Sequence, residues 1–398
     1  MKVLQINTVC GTGSIGRIEV DLYKMLKEQG HDCLIAYGRG TPPKEVQTIR
    51  IGNDWDIRKN GLKTRLTDRE GFGSKRATKQ FIEGVKRYDP DVIHLHNLHG
   101  YYINIEILLN HLKEANKKVI WTLHDCWAFT GHCAYFDYVG CDKWKTGCEK
   151  CPQKKEYPKS FLLDHSKLNY QTKKELFTNV KNLTIVTPSH WLAGLVKESF
   201  LGEYPVEVIH NGIDLEIFKP TPSNFREKYH CEDKTIILGV ANVWDRRKGL
   251  ETFIKLAKEL PDDFQIVLVG LSKKQVKQLP DNIIKIERTN SARELAEIYT
   301  AANVFVNPTL EDNFPTTNLE SLGCGTPVIT YDTGGSPECV TNLNGLIIKK
   351  NNIDELIKEI LNSRSIIIKE NFIKRTEEFN KNIKFHNYLT IYSNGVKI

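Results

Sequence analysis

Two carboxylates eight positions apart, Asp312 and Glu320, bracket a junction that passes through Pro315 to Thr316 and Thr317. Proline lacks the N–H that a first helical turn leaves unused, so a helix is expected to start there. The open amides around Thr316 and Thr317 would attract an anion, typically a phosphate. Glu320 lies four residues after Thr316 and shares its helix face, one turn behind the phosphate position and within reach of ribose hydroxyls. Asp312 stays in the preceding loop, LEDNF, beside Asn313 and Phe314, near whatever hangs off the phosphates. A second set is cationic: Arg246, Arg247 and Lys248 stand between an apolar run and an amphipathic one. Cations at a helix start oppose its dipole, so they are expected to clamp a diphosphate. Together the two sets have the layout that a nucleotide-sugar site needs.

The elements that must position these groups are those of a doubly wound α/β sheet. AANVFV (301–306) is a short buried strand, the helix runs from Thr316 to about Gly323, and 327–331 is the next strand, closed by Gly334-Gly335. Ligands of such sheets sit at the carboxyl ends of the strands. TIILGVANVWDRRKGLETFIKLAKEL (235–260) repeats the strand, loop and helix order around the cations. The strand NIIKIERT (282–289) ends near Arg288, where a base would stack. In the first half, VIWTLHDCWAF (119–129) is a strand ending at His124-Asp125, which places that histidine in a cleft.

Other strings suggest other chemistry. GTGSIGR (11–17) is a G-x-G-x-x-G after a strand, with Gly13 and Gly16 letting backbone approach a phosphate or an acceptor. A dinucleotide site needs an acid at the end of the second strand (33–40), which has none. Arg39 would suit a 2′-phosphate, so an NAD(P)-dependent oxidoreductase using the loop from Gly11 to Gly16 stays open as an alternative. His94, His96 and His99 follow strand spacing and are expected in the core rather than on a metal. DWD (54–56) and DPD (89–91) are too short to carry weight. Cys133, Cys141, Cys148 and Cys151 stand in a loop (126–152) rich in aromatics and free of helical or strand pattern. Their one C-x2-C pair and two further thiols could close a structural zinc site or be four reduced cysteines.

The string from 307 to 338 resembles the E-x7-E signature of retaining glycosyltransferases of family 4, whose two-domain fold is called GT-B. Asp312 stands where the family has its first glutamate, with Glu311 adjacent. VEVIHNGIDLEIFKP (206–220) is similar to the family's interdomain stretch, and KFHNYLTIY to its C-terminal tail. The resemblance implies that His124 lies beside the donor sugar and that Lys248 contacts the diphosphate. The family's arginine five positions before that lysine is Val243 here, and Arg247 is the proposed substitute. It further implies transfer of a hexosyl or N-acetylhexosaminyl unit from a nucleotide-diphosphate sugar to a glycan or lipid-linked acceptor, with retention and without a catalytic metal, in building polysaccharides such as capsules. A sugar-nucleotide epimerase of the same fold is the nearest alternative. The expected domains are 1–203, 204–375 and a helix over 376–398 that returns to the first, with further helices at 353–362 and 372–382.

The composition agrees. A chain of 398 residues, 40% apolar and 26% charged, suits two soluble domains. Its apolar runs are too short to span a membrane, and the start runs straight into a strand, so a cytoplasmic protein is expected, with peripheral contact at the inner face of the membrane left open. The net charge of +7 is mild, short of a nucleic-acid binder. Residues 57–88 hold ten Lys or Arg against three acids, and within them TRLTDREGFGSKR (64–76) is an anchor for an anionic lipid surface or a lipid-linked diphosphate, or a solvated loop. The ten cysteines are expected reduced or metal-bound.

Overall fold

The computed structural model describes residues 1–362 and 376–394. The chain forms two units, Met1–His210 with the chain from Phe385, and Asn211–Lys384. The first holds a seven-stranded sheet: β1 (Lys2–Val9), β2 (Asp32–Arg39), β3 (Thr48–Arg50), β4 (Val92–Leu95), β5 (Lys118–Thr122), β6 (Leu183–Thr187) and β7 (Val206–Val208). The order is β3-β2-β1-β4-β5-β6-β7, and every pairing is parallel. The second holds β8 (Thr235–Val240), β9 (Phe264–Val269), β10 (Ile283–Ile286), β11 (Val304–Asn307), β12 (Val328–Tyr331) and β13 (Gly345–Ile348), in the order β10-β9-β8-β11-β12-β13 and again parallel. In each sheet the chain winds one way, returns to the centre and winds the other way. The switch points lie between β1 and β4 and between β8 and β11, where a doubly wound sheet binds its ligand.

Central strands are buried on both faces, which explains their unbroken apolar runs. All four residues of β4, β11 and β12 are buried. Helices cover both faces with single apolar stripes. In Lys75–Tyr88, Ala77, Phe81, Ile82 and Val85 are buried at helical spacing.

Three sequence expectations change. The boundary falls at His210–Asn211 rather than at 203–204, because Val206–Val208 pairs with β6 and belongs to the first sheet. The segment 64–76 is a loop over 68–74 but not a solvated one: it follows the helix Asp54–Thr67, opened by an Asn53–Asp56 capping box, and its Asp68, Glu70 and Phe72 are buried. The Asp54 carboxylate pairs with Arg50, so the D-x-D string serves the fold. The tail Lys381–Ser393 is a helix whose Phe385, Tyr388, Leu389 and Tyr392 join the first unit's core. Of the helix expected at 372–382, residues 372–375 lie outside the described residues, as do 395–398; Glu377–Phe379 is a single 3-10 turn. All ten cysteines are free thiols.

Candidate functional site

In the second unit the loops after β8 and β11 converge. After β8, Arg246–Lys248 forms a 3-10 turn capped by Asp245, whose Oδ1 accepts the Lys248 N–H at 3.0 Å. Gly249 ends it at φ 75°; a Cβ there would lie 2.3 Å from the Pro308 carbonyl, so only glycine lets the two loops meet this closely. Leu310 N–H then bonds Arg247 O at 2.7 Å.

This packing joins the clamp to the first acid. Lys248 Nζ donates to Asp312 Oδ2, and Arg247 Nη1 donates to Glu311 O at 2.7 Å and stands 3.9 Å from Asp312 Oδ2. Burial alone would raise the Asp312 carboxyl, but Lys248 and then Arg247 outweigh it and hold it below the usual carboxylate range. Glu311 is fully buried, whereas the Asp312 side chain keeps 15% of its exposure. Of the two adjacent acids, Asp312 is therefore the one open to a ligand and charge-matched to the lysine.

The helix Thr316–Gly323 starts where expected. Its cap is Pro315, which offers no side-chain acceptor to the first amides, and Thr316 and Thr317 there are half-buried. Glu320 is 5% exposed and accepts from the Tyr299 hydroxyl at 3.2 Å. Asn313 is buried beside Asp312, and its N–H donates to Asp312 Oδ1 at 2.8 Å. Phe314, expected in the loop beside the donor, turns its side chain inward. Its side chain is buried, with its ring 5.9 Å from Phe379, and its carbonyl accepts from Asn211, so it fixes the turn. Arg288 is exposed just past β10.

The helix start rests on polar groups that sequence reading did not single out. Asn307 Nδ2 donates to Asn318 Oδ1 at 2.8 Å, Asn318 Nδ2 reaches Ser336 O and Oγ at 3.1 Å each, and Ser336 Oγ lies 2.7 Å from Thr330 Oγ1. The Gly334-Gly335 turn closes over the acid loop, with Gly335 N–H bonded to Asp312 O at 3.0 Å. The only sequence signal was polar residues at strand ends and on the buried side of a helix.

In the first unit, β4 and β5 bring the histidines together. His96 Nδ1 lies 3.1 Å from His124 Nε2 and its Nε2 3.3 Å from Gln5 Oε1; His94 contacts Tyr392 OH at 2.6 Å and Thr122 Oγ1 at 2.8 Å. His94 and His96 are buried core histidines bonded to side chains, and His124 is half-buried. Burial lowers His124 to about 4 against a smaller upward pull from Asp125, so the ring is a neutral hydrogen-bonding group. His99 Nε2 lies 2.8 Å from Asp125 Oδ2. Gly13 opens the helix Gly13–Glu28 at φ 68°, and Gly16 packs so that a Cβ would meet Gly11 N at 3.1 Å. Cys133, Cys141, Cys148 and Cys151 also gather in this unit.

Comparisons with known proteins agree with this architecture. The family model described as Glycosyltransferase Family 4 matches residues 15–217, and that described as Glycosyl transferases group 1 matches residues 222–384. The putative colanic acid biosynthesis glycosyl transferase WcaC of Escherichia coli K12 is 27% identical over 375 residues, 90% of each chain. Among solved structures, sucrose-phosphate synthase from Thermosynechococcus elongatus superposes with a TM-score of 0.75 at 18% identity, covering 99% of this chain and 98% of that one. Anabaena HepE in complex with UDP gives 0.70 at 14% identity, covering 99% and 100%. At such identities the solved structures speak for the fold alone, which is GT-B. Neither the epimerase nor the oxidoreductase alternative gains support from these likenesses.

Proposed function

The chain belongs to glycosyltransferase family 4, and from that premise we propose that it moves a hexosyl or N-acetylhexosaminyl unit from a nucleotide-diphosphate sugar to a glycan or lipid-linked glycan, with retention of configuration, in polysaccharide assembly. The observation that carries this reading is the Lys248–Asp312 pair with Arg247 beside it, set at strand ends next to the start of Thr316–Gly323. As transfer proceeds, the bond from the anomeric carbon to the phosphate oxygen breaks and its electron pair stays on the diphosphate. Lys248, Arg247 and the amides of Thr316 and Thr317 neutralise that charge without a catalytic metal. Glu320 holds ribose hydroxyls, and Asp312 keeps the lysine in place. By the family resemblance, His124, a neutral ring, is the proposed hydrogen-bonding partner of the donor sugar. The UDP complex of the Anabaena neighbour and the colanic acid role named for the E. coli relative favour a nucleotide donor and a polysaccharide product.

The acceptor side carries a feature suited to a lipid-linked substrate. Trp55, Leu62 and Leu66 of the helix Asp54–Thr67 are exposed, as are Phe161 and Leu162. Phe161 N–H bonds Arg65 O at 2.7 Å and Leu163 N–H bonds Leu66 O at 3.2 Å, so the apolar side chains of both segments are neighbours among Arg58, Lys59 and Lys63. Exposed apolar groups among cations suit an anionic membrane surface; no helix among the described residues is long and apolar enough to cross one. Calorimetric titration with UDP-, GDP- and ADP-sugars tests the donor, since a bound donor also raises the melting temperature by mass action. Product NMR then reads the anomeric configuration. Absence of binding to all three classes, or an inverted product, defeats the reading.

A further inference from the structure

Between β5 and the helix Ser166–Phe177 the chain runs through 123–165 with only three single 3-10 turns, Trp127–Phe129, Asp137–Val139 and Lys143–Lys145. Loops this long inside a compact domain are uncommon without a function or a staple. This one is nevertheless packed, with Phe129, Phe136 and Trp144 buried. At its centre is a cavity of about 10 Å³, lined among others by Thr130, Cys133, Cys141, Trp144, Cys148 and Cys151. All four thiols of the loop thus face one space of the size of a single small body.

Hydrogen bonds tie these sulfurs to the loop backbone and to one another. Gly131 N–H donates to Cys148, Gln153 N–H donates to Cys151, and the Cys133 thiol donates to Cys151. The sulfurs surround the space without closing on it, since no three of them lie within 4.8 Å of one another.

A second observation is independent of the cysteines. Two nitrogen groups are buried around the loop without the anions or acceptors they require. Lys173 is 1% exposed; its ammonium donates to Trp127 O at 2.7 Å and Thr130 O at 3.1 Å, over the Trp127 ring. No carboxylate pairs with it among the described residues. His132 is 2% exposed, its Nδ1 pairs with the Asp68 carboxylate, and its Nε2 is buried with no partner. A buried ammonium with only carbonyl partners is costly without a counter-charge.

We propose that Cys133, Cys141, Cys148 and Cys151 bind one Zn²⁺ as four thiolates, with the Lys173 ammonium and the unpartnered His132 Nε2 buried beside the doubly negative centre. On binding, each thiol releases its proton to solvent, and the sulfurs draw in to about 2.3 Å from the metal. Four protein ligands leave no open position, so the metal orders the loop and takes no part in transfer. The His132–Asp68 pair then presents an N–H to a thiolate, as outer-shell groups of metal sites do.

Metal analysis of the untagged full-length protein, purified without chelator, is expected to give about one zinc per chain. Cobalt substitution should produce the charge-transfer and visible bands of a tetrahedral four-thiolate centre. Titration of the wild-type protein with a mercurial should release the zinc only as four thiols react, a readout that needs no variant to fold. Cys141→Ser should lose the metal, whereas His132→Gln should keep it and melt lower. Less than about a tenth of an equivalent of zinc, together with no cobalt uptake by the reduced protein, overturns the proposal. So does retention of zinc in Cys141→Ser with its loss in His132→Gln, which would make the histidine the fourth ligand.

Discussion

Lys248 is held by Asp312 before any donor arrives, so its ammonium is already placed when charge develops on a leaving diphosphate. Lys248→Ala removes a charge-assisted contact worth about 1.5–3 kcal/mol, and transfer should fall roughly ten- to a hundredfold. Arg247→Ala should fall similarly if Arg247 stands in for the arginine that Val243 replaces; wild-type kinetics would hand that role to Arg246 or to none. The acids should separate in kinetics. Glu320→Gln is expected mainly to raise KM, because it removes binding common to ground and transition states. Asp312→Asn is expected mainly to lower kcat, because the lysine it fixes is then free to wander. Glu311 is fully buried, so Glu311→Gln should lower the melting temperature more than it changes kcat in the folded protein. The reverse pattern, with Asp312→Asn silent and Glu311→Gln impaired in kcat, would move the first acid by one position.

At the scale of elements, the strand–loop–helix–strand run around Thr316–Gly323 was legible because strand burial and helix punctuation are written locally. The acids followed from simple helix geometry. What was not legible has physical reasons. The helix Asp54–Thr67 buries only Gly61 and Thr64, so it has no apolar stripe to show, and its one signal was the Asn53–Asp56 capping pair. The boundary was misplaced because β7 is a three-residue edge strand. The network of Asn307, Asn318, Ser336 and Thr330 joins two strands, a helix and a turn, and no local pattern assigns partners across them. That same helix Asp54–Thr67 makes a prediction of its own. Trp55 is 77% exposed with Arg58 stacked near its ring, so Trp55→Glu should weaken sedimentation with anionic vesicles severalfold while leaving the affinity for a soluble donor intact. Equal sedimentation of wild type and variant, or no wild-type preference for anionic over neutral vesicles, would remove the membrane reading.

At the scale of the whole molecule, acid should act through the histidine cluster of the first unit. Burial lowers His94 to about 3 and His124 to about 4 from an ordinary 6.5. Both rings bind a proton more weakly in the folded protein, so between about 4 and 6.5 the unfolded chain holds more protons and stability rises with pH. The melting temperature should therefore drop as pH falls below 6.5, at a slope on the order of 1.4 kcal/mol per pH unit for each ring, and replacing His94 by Gln should shallow it. Identical pH profiles of melting temperature for wild type and His94→Gln would show that this ring is not held neutral by burial, since the buried Glu19 and Glu70, raised by desolvation, act with the opposite sign in both proteins. His94 also meets Tyr392, and Thr122 meets Tyr388. The first unit therefore completes its core with side chains synthesised only after the whole second unit. After His210 emerges, roughly ten to forty seconds of synthesis at 5–20 residues per second separate the seven-stranded sheet from the helix that seals it. During that interval the apolar face around Ile35, Ile120 and Val186 lacks its C-terminal cover, which makes this face a natural resting place for a chaperone on the nascent chain.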